Sequence, residues 1–175
     1  MSGINERKKV RRIFAEKKEG YNIEARNLFI DFKNHLGITG LEGVRVINRY
    51  DISGISDEEY KASRYVIFSE PPVDYLYEEN INFSHDEKVF AVEYLPGQYD
   101  QRADSASQCI QLLTLGERPR CKAAKLIVLK GKITDEDFEK VKSYYINPVD
   151  SHEAAIDKPE SLDEEYDYPE DVMVL

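Results

Sequence analysis

The segment Ile55-Ser-Asp-Glu-Glu-Tyr60 returns 78 residues later as Ile133-Thr-Asp-Glu-Asp-Phe138, with every replacement conservative in size or charge. Each copy fits a helix start. Ser56 with Glu59, and Thr134 with Asp137, have the spacing at which a hydroxyl caps the third helical residue and that residue's carboxylate reaches back. The same shift sets Asn22 on Asp100, two further candidate N-caps. It also sets Ala25, Leu28 and Phe32 on Ala103, Ala106 and Ile110, and the strand around Ile13 and Phe14 on the one around Ala91 and Val92. A chain that repeats helix starts and core positions at one spacing is confined to folds made of two like halves.

Each half reads strand, helix, strand, helix: 10–16, 23–36, 44–50 and 57–68, then 89–95, 102–115, 123–130 and 135–146. The connection 69–88 holds a further expected strand near 75–83. Amphipathic helices cover one face of each set of strands, so the other face must be buried against its twin. The expectation is therefore an α+β domain over residues 1–147, with duplicated halves at about 10–70 and 88–147. These pack as a pseudo-twofold two-sheet domain with helices outside.

Charge divides the chain unevenly. Of the formal −10, residues 148–175 contribute −9, from ten acids and the single base Lys158, which leaves −1 for residues 1–147. Asn147-Pro148 stops the last helix, and residues 148–175 read as an acidic, extended linker. Its apolar end, 172–175, suggests that more protein follows or that these residues pack on a partner. The one dense basic run, Arg7 to Arg12 with Lys17 and Lys18 nearby, reads as the solvated start of the first strand. A chain this acidic lacks the footprint that phosphate binding needs, so no nucleic-acid partner is expected. No apolar run approaches the roughly 18 residues needed to span a bilayer, and charges occupy the N-terminus where a signal peptide has its apolar core. We expect no membrane partner and a cytoplasmic location. Cys109 and Cys121 show no CxxC spacing, and neither a disulfide framework nor a metal site is expected.

The segment 94–113 looks chosen for more than packing. Pro96 and Gly97 end a strand, Asp100 caps the helix that follows, and Gly116 stops it. Ala106, Cys109, Ile110 and Leu113 recur at i, i+3, i+4 and i+7 as a buried stripe. Gln98, Asp100, Gln101, Arg102, Asp104, Ser105 and Gln108 make the candidate interface, because amides and small hydroxyls bond a partner's backbone and an arginine fork grips a carboxylate. Catalysis is not expected from these residues. His35 ends a helix, His85 lies in a polar loop and His152 in the acidic tail, none with a nucleophile at useful spacing. Cys109 on a buried stripe lacks a helix N-terminus to activate it, and there is no glycine-rich phosphate loop.

With the duplication and the turn in hand, VFAVEYLPGQYDQRADSASQCIQLL (89–113), GLEGVRVINRYDISGISDEEY (40–60) and YYINPVDSHEA (144–154) together resemble one family. The chain, from about residue 10 to 159, is similar to the N-terminal region of the long, single-chain phosphoribosylformylglycinamidine synthase of purine biosynthesis. The resemblance implies two fused copies of that enzyme's small-subunit module. It also implies that catalysis lies elsewhere: the complete enzyme amidates formylglycinamide ribonucleotide with glutamine as donor, using ATP and Mg. Neither the ATP-binding body, nor the linker with its catalytic histidine, nor the Cys-His-Glu glutaminase has a counterpart in these 175 residues. The role implied for this segment is to hold synthase and glutaminase domains, its partners in cis or in trans, in register for ammonia transfer. The alternative is a free-standing small-molecule-binding regulatory module or small-subunit analogue. An RNA-binding sheet fits less well, because Phe90 and Tyr94 stand beside Val92 and Glu93 rather than basic residues.

Overall fold

The computed structural model describes residues 6–162. After a single helical turn at 6–8, the chain runs β1 (Arg11–Lys17), α1 (Ile23–Asn34), β2 (Leu41–Ser53), α2 (Asp57–Ser63) and β3 (Asp74–Glu78). It continues β4 (Glu87–Tyr94), α3 (Gln101–Thr114), β5 (Arg120–Gly131), α4 (Asp135–Tyr145) and β6 (Ser151–Ala154). The fold is α+β. All six strands belong to one sheet, in the order β3-β1-β2-β5-β4-β6, and every pairing is antiparallel.

The expected pair of sheets packed face to face is replaced by this single sheet. Two long central strands, β2 and β5, pair from Leu41 against Gly131 to Ser53 against Arg120, so the chain's halves join edge to edge. The helices do lie on one face only. Phe32 of α1 and Val141 of α4 pack with Phe90, Ile127 and Leu129, while Tyr60 of α2 and Ala106 and Ile110 of α3 pack with Ile13 and Ile52. Alternation along the strands puts Phe14, Ile47, Ala91, Leu126, Val128 and Ala154 on the opposite face, where Ile81 and Phe83 of the β3–β4 connection pack on them instead of a helix. Burying that face on a second apolar sheet is opposed by its polar positions. On that face β2 carries Arg45, Arg49 and Asp51 beside Ile47, and stranding such charges in an apolar interface is costly.

The strands do not follow the expected shift of 78. A shift of 78 would lay Ile13, which faces the helices, on Ala91, which faces away from them. Ladder positions correspond instead at 77: Ile13 opposite Tyr50 matches Phe90 opposite Ile127, and Phe14 opposite Arg49 matches Ala91 opposite Leu126. A one-residue slip exchanges the two faces of a strand, so only 77 preserves them. Helix starts keep 78, with Ile23 against Gln101 and Asp57 against Asp135. The connecting turns absorb the difference.

Element ends follow local chemistry. Ser56 and Glu59 form the complete capping box, and the Thr134 hydroxyl accepts from the Asp137 N–H at 3.0 Å. Asn22 stands at the N-cap of α1, yet its side chain makes no capping bond and, among the described residues, its Oδ1 is buried without a partner. β3 stops at Glu78 because Glu79 turns to φ 64°, earlier than the expected 75–83. β6 was not anticipated: His152 and its neighbours pair with β4 inside the stretch read as linker. Arg11 and Arg12, read as solvated, are both buried. The apolar residues 172–175 lie outside the described residues. Replacing Thr134 by alanine is expected to cost about 1 kcal/mol in urea unfolding, the usual value of a lost hydroxyl cap.

Candidate docking surface

The sharp reversal between β4 and α3 places every residue of the candidate interface. β4 ends at Tyr94, Gly97 takes φ 89° where a side chain would be strained, and the Gln98 N–H closes the turn on the Leu95 carbonyl at 3.0 Å. Asp100 caps α3 by accepting from the Ala103 N–H at 3.1 Å. That cap fixes the phase of the helix. Its inward stripe is Ala103, Ala106, Ser107 and Ile110, small residues that let the helix lie close to the sheet, with the Ser107 hydroxyl donating to the Pro119 carbonyl at 2.7 Å.

Cys109 and Leu113, expected on the buried stripe, are therefore exposed. Their places fall to Ala103 and Ser107, one turn closer to the cap. Cys121 takes the protected position, and burial pushes its thiol pKa well up, the opposite of an activated nucleophile.

The seven candidate residues divide into two groups. Asp100, Arg102 and Asp104 already have partners within the chain. The Arg102 guanidinium turns inward to donate to Asn48 Oδ1 at the centre of β2. Asp104 accepts from the Tyr99 hydroxyl at 2.7 Å and from Arg118, and its carboxyl is held below the usual range chiefly by the Tyr99 bond, which outweighs the burial penalty, with the Arg118 charge adding to it. Gln98, Gln101, Ser105 and Gln108 stand exposed. Three of these continue along the helix in a line that sequence reasoning missed, Gln101, Ser105, Gln108 and Leu112, spaced by four and three, with Leu115 following at the left-handed C-cap just past the helix end. Leu112 is 69% exposed and Leu115 90%. The spacing was legible in the sequence, because alternating steps of three and four keep one helix face. The surface is thus amide-rich at the N-terminal end and apolar at the C-terminal end.

Other chemistry is sparse. His35 lies 3.4 Å from Asp31 at the end of α1, and His152 contacts Glu93 across the β4–β6 pair at 2.8 Å. Among the described residues no group of three or more His, Cys, Asp or Glu is placed to hold a metal ion. Nor is any helix long and apolar enough to cross a membrane. No family model matches the sequence, and none of the curated proteins is similar to it.

Proposed function

We propose that the chain is the N-terminal assembly and ammonia-channelling region of a phosphoribosylformylglycinamidine synthase, built from two fused small-subunit modules. One observation carries the reading. The succession strand, helix, strand, helix, strand occurs twice, and the strand order β3-β1-β2-β5-β4-β6 reads the same from either edge when β1, β2 and β3 are exchanged for β4, β5 and β6. The 77-residue correspondence carries the Asn48 and Lys125 pair onto itself, which supports a local two-fold axis between β2 and β5. Gene duplication and fusion of a module that otherwise pairs with itself accounts for such an axis, since self-pairing surfaces are two-fold by nature. Three peptide segments carry the family likeness: residues 40–60, 89–113 and 144–154. On this reading the second module extends through β6, and the acidic linker begins after it.

The role follows from what the surface offers. The exposed line on α3 bonds partner backbone through Gln101, Ser105 and Gln108 and buries Leu112 and Leu115, so that the domain holds glutaminase and synthase in register. ATP and Mg act in the synthase body, and this segment by itself is inactive. In the full-length enzyme, the double variant Gln108→Ala with Leu112→Asp is expected to lower glutamine-dependent turnover at least about tenfold while sparing turnover on free ammonia. A tenfold loss corresponds to about 1.4 kcal/mol, within the usual yield of one buried leucine at an interface. Equal losses with both nitrogen sources, or none with either, would remove the assembly role.

A further inference from the structure

We infer that the helix-free face of the sheet carries a binding site for a small organic carboxylate with an apolar body, held by Arg49. The site is a cleft of about 380 Å³ between the sheet, the β3–β4 connection and the segment that follows β6. Its walls are Phe14 and Leu126 from the sheet, Ile81 and Phe83 from the connection, and Ile156 from the last segment. Its rim carries Arg12, Arg49, Glu79, Asn80, Asp157 and Lys158, so an apolar wall stands beside placed charged groups, a form that suits a small-molecule site.

The charges decide the ligand's polar end. Arg12 and Arg49 lie side by side on this face, 3% and 4% exposed. Asp51 is the carboxylate beside them, and Arg12 takes both of its oxygens, Nε at 2.7 Å and Nη2 at 2.9 Å. Arg12 further donates through Nη1 to the Ile156 carbonyl. Glu79, also on the rim, is held by Lys158. Among the described residues Arg49 has one hydrogen bond, from Nη1 to the Ala155 carbonyl at 2.9 Å, and no ion pair. A guanidinium has five N–H donors in a fork that matches a carboxylate. Buried cations are ordinarily paired, and here the arginine beside the Arg12–Asp51 pair lines the cleft next to its apolar wall. Burial and then the Arg12 charge depress the Arg49 pKa, against the smaller opposing pull of the Asp51 and Glu93 carboxylates. One fork without a helix N-terminus or a loop of N–H groups suits a monocarboxylate better than a phosphate.

The test is titration calorimetry of the 175-residue chain with 3-phenylpropanoate, its neutral amide 3-phenylpropanamide, and inorganic phosphate, together with methyl chemical shifts. The carboxylate is expected to bind saturably, at least about tenfold tighter than the amide and than phosphate, moving the methyl signals of Ile81, Leu126 and Ile156. Arg49→Gln should erase the preference for carboxylate over amide, and Arg49→Lys should recover part of it. Should Arg49→Gln fail to fold, the amide comparison and the methyl shifts of the unaltered chain still decide. Absence of saturable binding, an amide that binds as tightly as the acid, phosphate that binds as tightly, or shifts confined to the helix side would each overturn the site.

Discussion

Replacing Asp51 by alanine is expected to destabilise the fold by about 3–5 kcal/mol, the cost of leaving a buried cation without its partner. The Asp51 carboxylate and the Arg12 guanidinium are both almost fully buried and joined by two hydrogen bonds. Arg49, on the same strand and face, leaves two buried cations behind once Asp51 is gone. Exposed pairs such as Lys88 with Asp135 contribute far less, because water and salt screen them. The double replacement Arg12→Met with Asp51→Leu removes both charges and should recover much of the loss, since apolar residues of similar volume commonly serve as well as a buried pair. Urea unfolding of the single and double variants gives the comparison. A loss below about 1 kcal/mol for Asp51→Ala would show that water reaches the pair and that the face is open there.

The same arginines show where sequence reasoning reached its limit. Arg7 to Arg12 is a basic run in the sequence, and a basic run is ordinarily solvated, yet Arg11 and Arg12 fall inside β1. Arg11 bonds Asp57 and lies over the Tyr60 ring, and Arg12 turns to Asp51 on the other face. Only the β1–β2 register brings Arg12 opposite Asp51, and register is a long-range property that no local pattern records. Helix starts were legible because caps are local: Ser56, Asp100 and Thr134 all accept the expected N–H. The recurrence of helix starts 78 residues apart was legible for the same reason. Its consequence for the sheet was not, because the alternation of charged residues in β2 had to be weighed against the helix-facing Val44, Val46 and Tyr50 before a single open-faced sheet could be chosen over two closed ones. On α3, the phase of the buried stripe depended on Ser107, a polar residue whose bond to Pro119 is a tertiary contact, so Cys109 was assigned to the wrong side. The amide face itself, Gln101, Ser105 and Gln108, was visible in the residue types, and its apolar continuation through Leu112 and Leu115 was visible in their spacing.

Replacing Phe90 by alanine is expected to cost about 3–5 kcal/mol, as large-to-small changes at fully buried aromatic positions do. Phe90 is wholly buried and meets Phe138 at 5.8 Å and Tyr145 at 6.1 Å, both edge to face. Removing the ring therefore takes away its burial and its aromatic contacts and leaves a cavity under α4. The pattern of coupling matters more than the size. Ile13, whose ladder position lies 77 residues before that of Phe90, belongs to the other helix-side cluster, with Tyr60, Ala106 and Ile110. β2 and β5 lie between their strands, a separation of roughly 14 Å at ordinary strand spacing. Phe90→Ala and Ile13→Ala should thus add to within about 0.5 kcal/mol, whereas Phe90→Ala and Phe138→Ala, which touch, should not. Chemical denaturation of the three single and two double variants measures both couplings. Additivity between Phe90 and Ile13 would show that the two helix-side clusters, each of which draws residues from both halves of the chain, are energetically independent. Strong coupling between Phe90 and Ile13 would instead mean that the helix side of the sheet forms one shared core.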